Sequence, residues 1–285
     1  MKGAFYWSVR RELWEHRAVF IAPLVVAGFV IAAVLFNVRN LQQHAGRLAT
    51  MTADAQKMAV AMPFGLTASV ILLISLVVGA FYCFDALNTE RRDRSILFWK
   101  SMPVSDATTV LSKAFVPMAV QPAVGFAVAL ATQAVLLLLV AAILKVAGVD
   151  PGPLWEKLPV FPMSVAMLYG LVVHVLWYAP AFALFLLLSA WVRRPLLWVV
   201  VPVVAVQAIE KIAFGTSYSG LFLRWRVAGA MSEAFVPNAM REPITSLAQL
   251  DPVRFLSSPG LWGGLVFAVV FLYAAVHLRR HREPS

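Results

Sequence analysis

Long uncharged apolar runs alternate with short polar or basic segments along this chain of 285 residues. Six of the runs approach the ~20 residues that an α-helix needs to cross a hydrocarbon core of about 30 Å. They predict membrane spans at about 18–37, 63–84, 115–144, 165–192, 196–214 and 259–278. The third and fourth runs exceed the thickness of a bilayer, so we expect them to tilt, protrude or kink, with Pro117, Pro122 and Pro180 as candidate kink sites.

The segment before the first run, 1–17, predicts a helix that lies on the membrane surface. Tyr6, Val9 and Leu13 recur at helical spacing and indicate an apolar face. The charged residues are assigned to the other face: Arg10, Arg11, Glu12 and Glu15. Trp7 and Trp14 are suited to the membrane interface. The alternative is a charged tail that is ordered only because it lies near the bilayer.

A long polar segment, 215–258, separates the last two apolar runs. It contains apolar residues such as Leu221 and Phe222, but Arg224 and Arg226 interrupt them. Each arginine at the centre of a span costs about 2.5 to 3.5 kcal/mol on insertion scales. We therefore expect short interfacial or re-entrant helices here, on the outer side of the membrane, instead of a seventh span.

The charge distribution agrees with one transmembrane domain over 1–285. Hydrophobic residues make up 61% of the chain and charged residues 13%, which excludes an ordinary soluble domain. The net charge of +10 would suggest nucleic acid in a soluble protein, but the basic residues lie between the apolar runs, so we expect no nucleic-acid partner. The residues that fall on one side of the predicted spans are Lys2, Arg10, Arg11, Arg17, Arg91, Arg92, Arg94, Lys100, Lys113, Arg193, Arg194, Arg279, Arg280 and Arg282. The positive-inside rule makes that side cytoplasmic, and with it both termini of a multi-pass protein of the bacterial inner membrane.

Polar residues within or near the apolar runs are candidates for a substrate route. They are Gln121, Gln133, His174, Gln207 and Glu210. Ionisable residues in membranes are often functional, whereas amides there more often join neighbouring helices by hydrogen bonds of ~0.6 to 2 kcal/mol. A lone histidine without a second ligand at suitable spacing is not a metal site, and we expect no metal and no catalytic residue.

The cytoplasmic loop 85–113 passes directly from a charged cluster into apolar and aromatic residues. A short helix from about Thr89 offers charged side chains for ion pairing, and the apolar residues that follow can bind in a partner's groove or on the membrane. Ser105 is suited to the N-cap of the helix that leads into the third span. Lys113 is expected to extend its ammonium group towards water at the membrane entry.

The stretch from Glu90 to Lys113 contains Glu-Arg-Arg-x-Arg-Ser-x-Leu, Met-Pro-Val-Ser and a later Ser-Lys. It resembles the intracellular loop of type-2 ABC exporter permeases, and the six-span layout is similar over nearly the whole chain. In that family the loop contains the coupling helix, which docks on a separate nucleotide-binding subunit. The resemblance implies a coupling role for Glu90, Arg91, Arg92, Asp93, Arg94, Leu97, Phe98 and Trp99. The alternative is a basic loop that sets orientation and touches anionic lipid.

The chain has no G-x-x-x-x-G-K-[ST] motif, so ATP and Mg²⁺ would be bound and ATP hydrolysed by a partner, an ABC ATPase subunit. The resemblance implies a permease without enzymatic activity or cofactors of its own. Such a permease would pair with a second copy or a sibling permease and export a hydrophobic or amphipathic compound. Two alternatives stay open: a secondary transporter, which normally places ion-coupling charges near the midplane, and a membrane anchor or assembly factor without transport activity.

Overall fold

The computed structural model describes residues 2–40, 51–93, 104–236 and 244–281. These residues are mostly helical, and six of their helices are long and apolar enough to cross a membrane. They run from Ala18–Phe36, Ala55–Arg92, Asp106–Val146, Val160–Trp191, Pro195–Phe214 and Pro259–His281, and are called spans 1 to 6. The predicted all-α membrane fold with six spans is confirmed.

Several spans are built from more than one helical piece. In span 2 the helix Ala53–Ala86 is followed by the short helix Asn88–Arg92, which we call the loop helix. Span 3 consists of Asp106–Phe115, a π-helical turn Val116–Val120 and Gln121–Val146. Span 5 consists of Pro195–Ile209 and a second π-helical turn, Glu210–Phe214. Gly152–Lys157 forms a short helix between spans 3 and 4.

The π-helical turn of span 3 lies where the sequence places two prolines. Pro117 is inside the turn and Pro122 follows it. Because proline has no backbone N–H, each ring removes one donor from the regular α-helical hydrogen-bond pattern. Single π-helical turns are the usual form in which such a helix absorbs an irregularity. Two of the three predicted kink sites therefore coincide with a change of helical type.

The spans differ strongly in how far the rest of the chain covers them. Within the most apolar stretch of span 4, 44% of the residues are buried, against none in span 5. The largest core cluster joins the N-terminal part of the chain to spans 2, 3 and 4, with Tyr82, Val116 and Phe182 among its members. Span 4 is thus the central helix of the bundle, whereas span 5 is peripheral.

The helix Lys2–Glu15, which we call the N-terminal helix, precedes span 1. Val9 packs in the protein core, whereas Tyr6, assigned to the same apolar face, and both Trp7 and Trp14 are more than half exposed. The position of this helix on the membrane surface stays a prediction. The guanidinium carbon of Arg10 lies 5.0 Å from the ring centroid of Trp7 and 4.7 Å from that of Trp14. The assignment of Glu12 to the outer, charged face is wrong, because its side chain is completely buried.

The described part of segment 215–258 contains helices that are shorter than the six spans, and their interfacial or re-entrant position stays a prediction. They are Tyr218–Ala234, the 3₁₀ turn Leu247–Gln249 and Pro252–Ser257. Arg226 holds the first of these on span 4: its Nη2 donates to the Trp177 carbonyl oxygen, and its guanidinium carbon lies 4.6 Å from the Trp177 ring centroid. In return the Trp177 indole Nε1 donates to the Arg226 carbonyl oxygen at 2.8 Å.

Candidate functional site

Six charged side chains meet at one end of the bundle and form what we call the ionic cluster. They come from the N-terminal helix, the loop helix, the start of span 3 and the end of span 6. The members are Arg11, Glu12, Glu90, Asp106, Lys113 and Arg279. Four segments that are far apart in the sequence are therefore held together by charge at a single place.

Glu90 of the loop helix lies at the centre of the ionic cluster. Its Oε1 accepts from Lys113 Nζ at 3.1 Å and from Arg11 Nη2 at 3.3 Å. Its Oε2 accepts from Arg279 Nη1 at 2.6 Å. One carboxylate therefore contacts a cation from the N-terminal helix, one from span 3 and one from span 6.

Glu12 is the second carboxylate at the centre. Its Oε1 accepts from Lys113 Nζ at 2.8 Å and from Arg11 Nη2 at 2.7 Å. Its Oε2 accepts from the Tyr82 hydroxyl of span 2 at 2.9 Å. Every oxygen of this buried carboxylate thus has a donor, as buried charges require.

The ionic cluster is shielded from solvent and balanced in charge. Glu12 is 0% exposed, Lys113 2%, Arg279 6% and Glu90 8%. Asp106 lies at the rim, where its Oδ1 accepts from Arg279 Nε at 3.1 Å. The three cations equal the three carboxylates in number. Outside the cluster, the half-exposed Glu15 also lies 3.6 Å from Arg11 Nε. Removing one of the most buried members, Glu12, Glu90 or Lys113, would leave its partners buried with less compensating charge, and breaking a buried pair typically costs about 3 to 5 kcal/mol.

Neighbouring charges hold the N-terminal members of the ionic cluster ionised. Burial by itself raises the pKa of Glu12, but Lys113 and Arg11 outweigh burial and bring that pKa below its usual value. Burial lowers the pKa of Arg11, and the hydrogen bond and charge of Glu12 more than reverse this effect. Burial is also the main reason that the pKa of nearby His16 is lowered. At neutral pH the site therefore holds charged pairs beside an uncharged histidine.

The structure changes the interpretation of two residues at the membrane entry. Lys113 does not extend towards water as predicted; its ammonium group turns inwards, since Glu12 and Glu90 both lie within 3.1 Å. Ser105 is the N-cap of the Asp106–Phe115 helix, as predicted, and its Oγ accepts from Thr108 N at 3.1 Å.

Sequence reasoning missed five residues as members of one network: Arg11, Glu12, Tyr82, Asp106 and Arg279. In the sequence, Arg11 and Arg279 indicate only the orientation of the spans and, for Arg11, the charged face of the first helix. The sequence does contain a signal for this network. Glu12, Glu90 and Asp106 are acidic residues close to the ends of predicted spans, on the side of the membrane where basic residues predominate. Acids in that setting point to ion pairing within the chain.

The residues that the resemblance assigns to coupling have different surroundings. Glu90 is buried in the ionic cluster, while Arg91 Nη1 donates to the carbonyl oxygens of Ser189, at 3.4 Å, and Ala190 at the end of span 4. Arg92 and Asp93 are exposed and form a pair at 3.5 Å. Arg94, Leu97, Phe98 and Trp99 lie outside the described residues. The coupling role of the set stays a prediction.

The start of the loop is also tied to span 4 by backbone hydrogen bonds. Ser189 Oγ, which is fully buried, accepts from the backbone N–H groups of Leu87 at 3.0 Å and Asn88 at 2.9 Å. Asn88 Nδ2 donates to the Arg193 carbonyl oxygen at 3.3 Å. The loop helix is consequently attached to span 4 on one side and to the ionic cluster on the other.

Two of the candidate substrate-route residues join neighbouring helices. Gln121 Nε2 donates to the Ser75 carbonyl oxygen at 2.6 Å, and Gln133 Nε2 donates to the Phe64 carbonyl oxygen at 3.2 Å. Both bonds fasten span 3 to span 2, which is the packing role that amides in spans often have. Their assignment to a route is untested.

The other three route candidates lie on spans 4 and 5. His174 packs against aromatic rings of its own span, with centroids 4.9 Å from Tyr178 and 6.3 Å from Phe182. Gln207 is on the peripheral span 5. Glu210 accepts from Thr216 Oγ1 and Ser219 N, both at 2.9 Å, and so caps the start of the Tyr218–Ala234 helix. In the described part of the chain, no hydrogen bond joins any two of the five candidates.

The architecture is that of a multi-pass membrane protein and is compatible with a transporter subunit. Its distinguishing features are the ionic cluster at one end of the spans and the loop helix attached to it. Comparison with models of known protein families, with curated proteins and with solved structures finds no match to this chain. Its function is therefore to be inferred from its own residues.

Proposed function

We propose that this chain is the membrane-spanning permease subunit of an ATP-driven ABC exporter and provides a route across the bilayer for a hydrophobic or amphipathic compound. The observation that carries the proposal is the position of Glu90. It lies in the loop that resembles a coupling loop, and its carboxylate contacts Lys113, Arg279 and Arg11. A force applied to this loop would reach three other segments through buried ion pairs.

The proposal divides the work between subunits. A separate ABC ATPase subunit would hold ATP and Mg²⁺, and a second copy of this chain or a sibling permease would complete the translocation route. In a bacterial inner membrane with both termini cytoplasmic, the ionic cluster would lie on the same side as the ATPase. The apolar residues 96–99 would provide the docking contact, since an apolar segment beside charges suits a groove on a partner.

Buried ion pairs suit a transmitting element for a physical reason. Separating them without water is costly, so the loop helix, the N-terminal helix and the ends of spans 3 and 6 should move as a unit. ATP binding to the partner needs only to favour one of two arrangements of that unit to switch the permease. In this mechanism Glu90 transmits the movement of the loop to other segments of the chain, and the residues that follow Glu90 dock on the ATPase subunit.

A secondary transporter fits the arrangement of charges less well. Such proteins normally place ion-coupling residues near the membrane midplane. In the described residues, the ionic cluster lies where spans 2 and 6 end and span 3 begins, and His174 is the ionisable candidate in the middle of span 4. The observed placement favours mechanical coupling at one end over proton or ion coupling in the middle.

The proposal is tested by co-expressing the chain with a Walker-motif ATPase subunit taken from the same genome as the candidate partner. Pull-down and ATP hydrolysis in nanodiscs are measured for the wild type and for a Leu97→Ala/Phe98→Ala pair. We expect the wild type to retain the ATPase and the pair to lose it. The matched control is Leu247→Ala/Val253→Ala, which removes two exposed apolar side chains from the 244–258 segment and should behave as wild type.

A Glu90→Gln variant separates docking from transmission. The amide keeps the volume of the carboxylate but not its charge. We therefore expect the variant still to bind the ATPase subunit, but we expect substrate no longer to change the rate at which that subunit hydrolyses ATP. If the wild-type chain retains no ATPase, or if all variants behave as the wild type, the exporter assignment is wrong.

A further inference from the structure

A cleft of about 240 Å³ opens beside the ionic cluster, between the end of span 2 and the turn that joins spans 4 and 5. Asn88, Arg91, Arg92 and Arg193 line it, and we call it the arginine cleft. None of these residues belongs to the ionic cluster, and two of them, Arg91 and Arg92, are also in the set to which the resemblance assigns coupling.

The walls of the arginine cleft are fastened to each other. Asn88 Nδ2 donates across it to the Arg193 carbonyl oxygen at 3.3 Å. Arg91 Nη1 donates to the Ser189 and Ala190 carbonyl oxygens, so its charge lies at the C-terminal end of span 4, where a cation is favoured. These hydrogen bonds hold the end of span 2 against the end of span 4 and the turn that follows it, which form the two walls of the cleft.

The charge of the arginine cleft is positive. Three guanidinium groups line it, and Arg92 and Arg193 are exposed. Asp93 Oδ1 lies 3.5 Å from Arg92 Nε on the surface. Glu90, on the same helix, is turned into the ionic cluster. Guanidinium groups in such a cluster match the geometry of a phosphate, which they bind through paired N–H donors.

The surroundings of the arginine cleft place it at the membrane surface. Trp191 precedes Arg193 at the end of span 4 and Trp198 follows it in span 5; their ring centroids are 6.3 Å apart. The two rings are 49% and 57% exposed, as expected for tryptophans at the boundary between hydrocarbon and headgroups. Leu196 and Leu197 next to Trp198 are also exposed, so an apolar surface begins directly beside the cleft.

We propose that the arginine cleft binds the phosphate headgroup of an anionic phospholipid, whose acyl chains lie along the exposed apolar surface at the start of span 5. A basic pocket between membrane-spanning helices is the usual setting for such a headgroup. A phospholipid matches both halves of the site, the guanidinium groups and the adjoining apolar surface. Free phosphate would match only the first half.

The test uses the purified full-length chain in detergent, titrated with dioleoyl phosphatidylglycerol and, separately, with neutral dioleoyl phosphatidylcholine. Native mass spectrometry counts the bound lipid. The cleft variant is Arg92→Gln/Arg193→Gln. The matched control is Arg17→Gln/Arg280→Gln, which removes the same charge from two exposed arginines outside the cleft. A third variant, Arg92→Lys/Arg193→Lys, keeps the charge.

We expect the cleft variant to bind phosphatidylglycerol on the order of thirtyfold more weakly than wild type, from about 1 kcal/mol for each basic residue at a membrane surface. The control and the lysine variant should stay within about threefold of wild type, phosphatidylcholine should bind weakly to every form, and inorganic phosphate should not displace the lipid. If the glutamine pair does not fold, the single Arg193→Gln variant replaces it, with an expected loss of about fivefold.

Four results would overturn the proposal. An equal loss in the control would show that diffuse surface charge, not the cleft, attracts the lipid. Displacement by inorganic phosphate would show a site for a soluble anion. Unchanged binding in the cleft variant, or equal binding of both lipids, would show that the cleft does not hold the headgroup.

Discussion

Lys113 illustrates how a residue at the membrane entry is determined by partners outside its own helix. A lysine near the end of a span usually extends its flexible side chain to water. Here the N-terminal helix and the loop helix place two carboxylates around the ammonium group, at 2.8 and 3.1 Å. Because both carboxylates are themselves buried, the lysine side chain is more stable pointing inwards than solvated.

We expect Lys113→Ala to lower the free energy of unfolding by about 3 to 5 kcal/mol, because it leaves Glu12 and Glu90 buried with less compensating charge. Denaturant or thermal unfolding in detergent micelles measures the loss. Lys145→Ala, at the other end of span 3 and exposed, serves as the control and should change stability by no more than about 0.5 kcal/mol. Equal stability of the two variants would mean that the ion pairs contribute nothing to the fold.

At the scale of elements, the Tyr218–Ala234 helix depends on contacts with spans 4 and 6. Arg226 donates to carbonyl oxygens on both, at Trp177 in span 4 and at Gly260 in span 6, where the distance is 3.4 Å. Gly260 carries no side chain at a point where the Trp225 ring approaches closely. A helix that is too short and too polar for a span is thereby kept against the bundle.

Arg226→Ala should release this helix locally. It removes charged hydrogen bonds of about 1.5 to 3 kcal/mol and a cation–π contact with Trp177 of about 0.5 to 2 kcal/mol. Hydrogen–deuterium exchange should then accelerate in residues 218–234, while the interior of span 4 stays protected. Arg224→Ala is the control, since Arg224 is an exposed neighbour on the same helix. Unchanged exchange in the Arg226 variant would contradict the attachment.

At the scale of the whole molecule, the ionic cluster and the arginine cleft lie at the same end of the bundle, because the loop helix contributes to both. The basic residues there predict that this end is cytoplasmic. The 244–258 segment precedes span 6, at the end of that span opposite to the ionic cluster, and would then face outwards. This orientation is independent of any export activity.

Reporter fusions test the orientation. We expect green fluorescent protein attached after Ser285 to be fluorescent, and alkaline phosphatase inserted near Ser246 to be active. Fluorescent protein folds in the cytoplasm, whereas alkaline phosphatase needs the oxidising periplasm to form its disulfides. The reversed pattern, with an active phosphatase at the C terminus, would place both termini outside.

Local features of the chain were predicted correctly. Six spans follow from the length of each apolar run, because crossing a bilayer depends on consecutive residues. The Ser105 cap follows from a residue type just before a helix. The sequence does not show which glycines lie at close helix contacts: a Cβ on Gly125 would lie 2.5 Å from Ser75 Oγ, whereas one on Gly263 would meet nothing within 4 Å.

Residue type and run length thus establish an all-helical membrane protein with six helices long and apolar enough to span a bilayer. Only the tertiary structure shows that Glu12 is buried, that Lys113 points inwards and that Arg279 joins Glu90. Lys113 and Glu12 are 101 residues apart in the sequence, and Arg279 and Glu90 are 189 residues apart. The periodicity of apolar residues indicates which face of a helix is apolar. Which charged groups are buried next to one another, and therefore have to form ion pairs, depends on how distant segments of the chain pack.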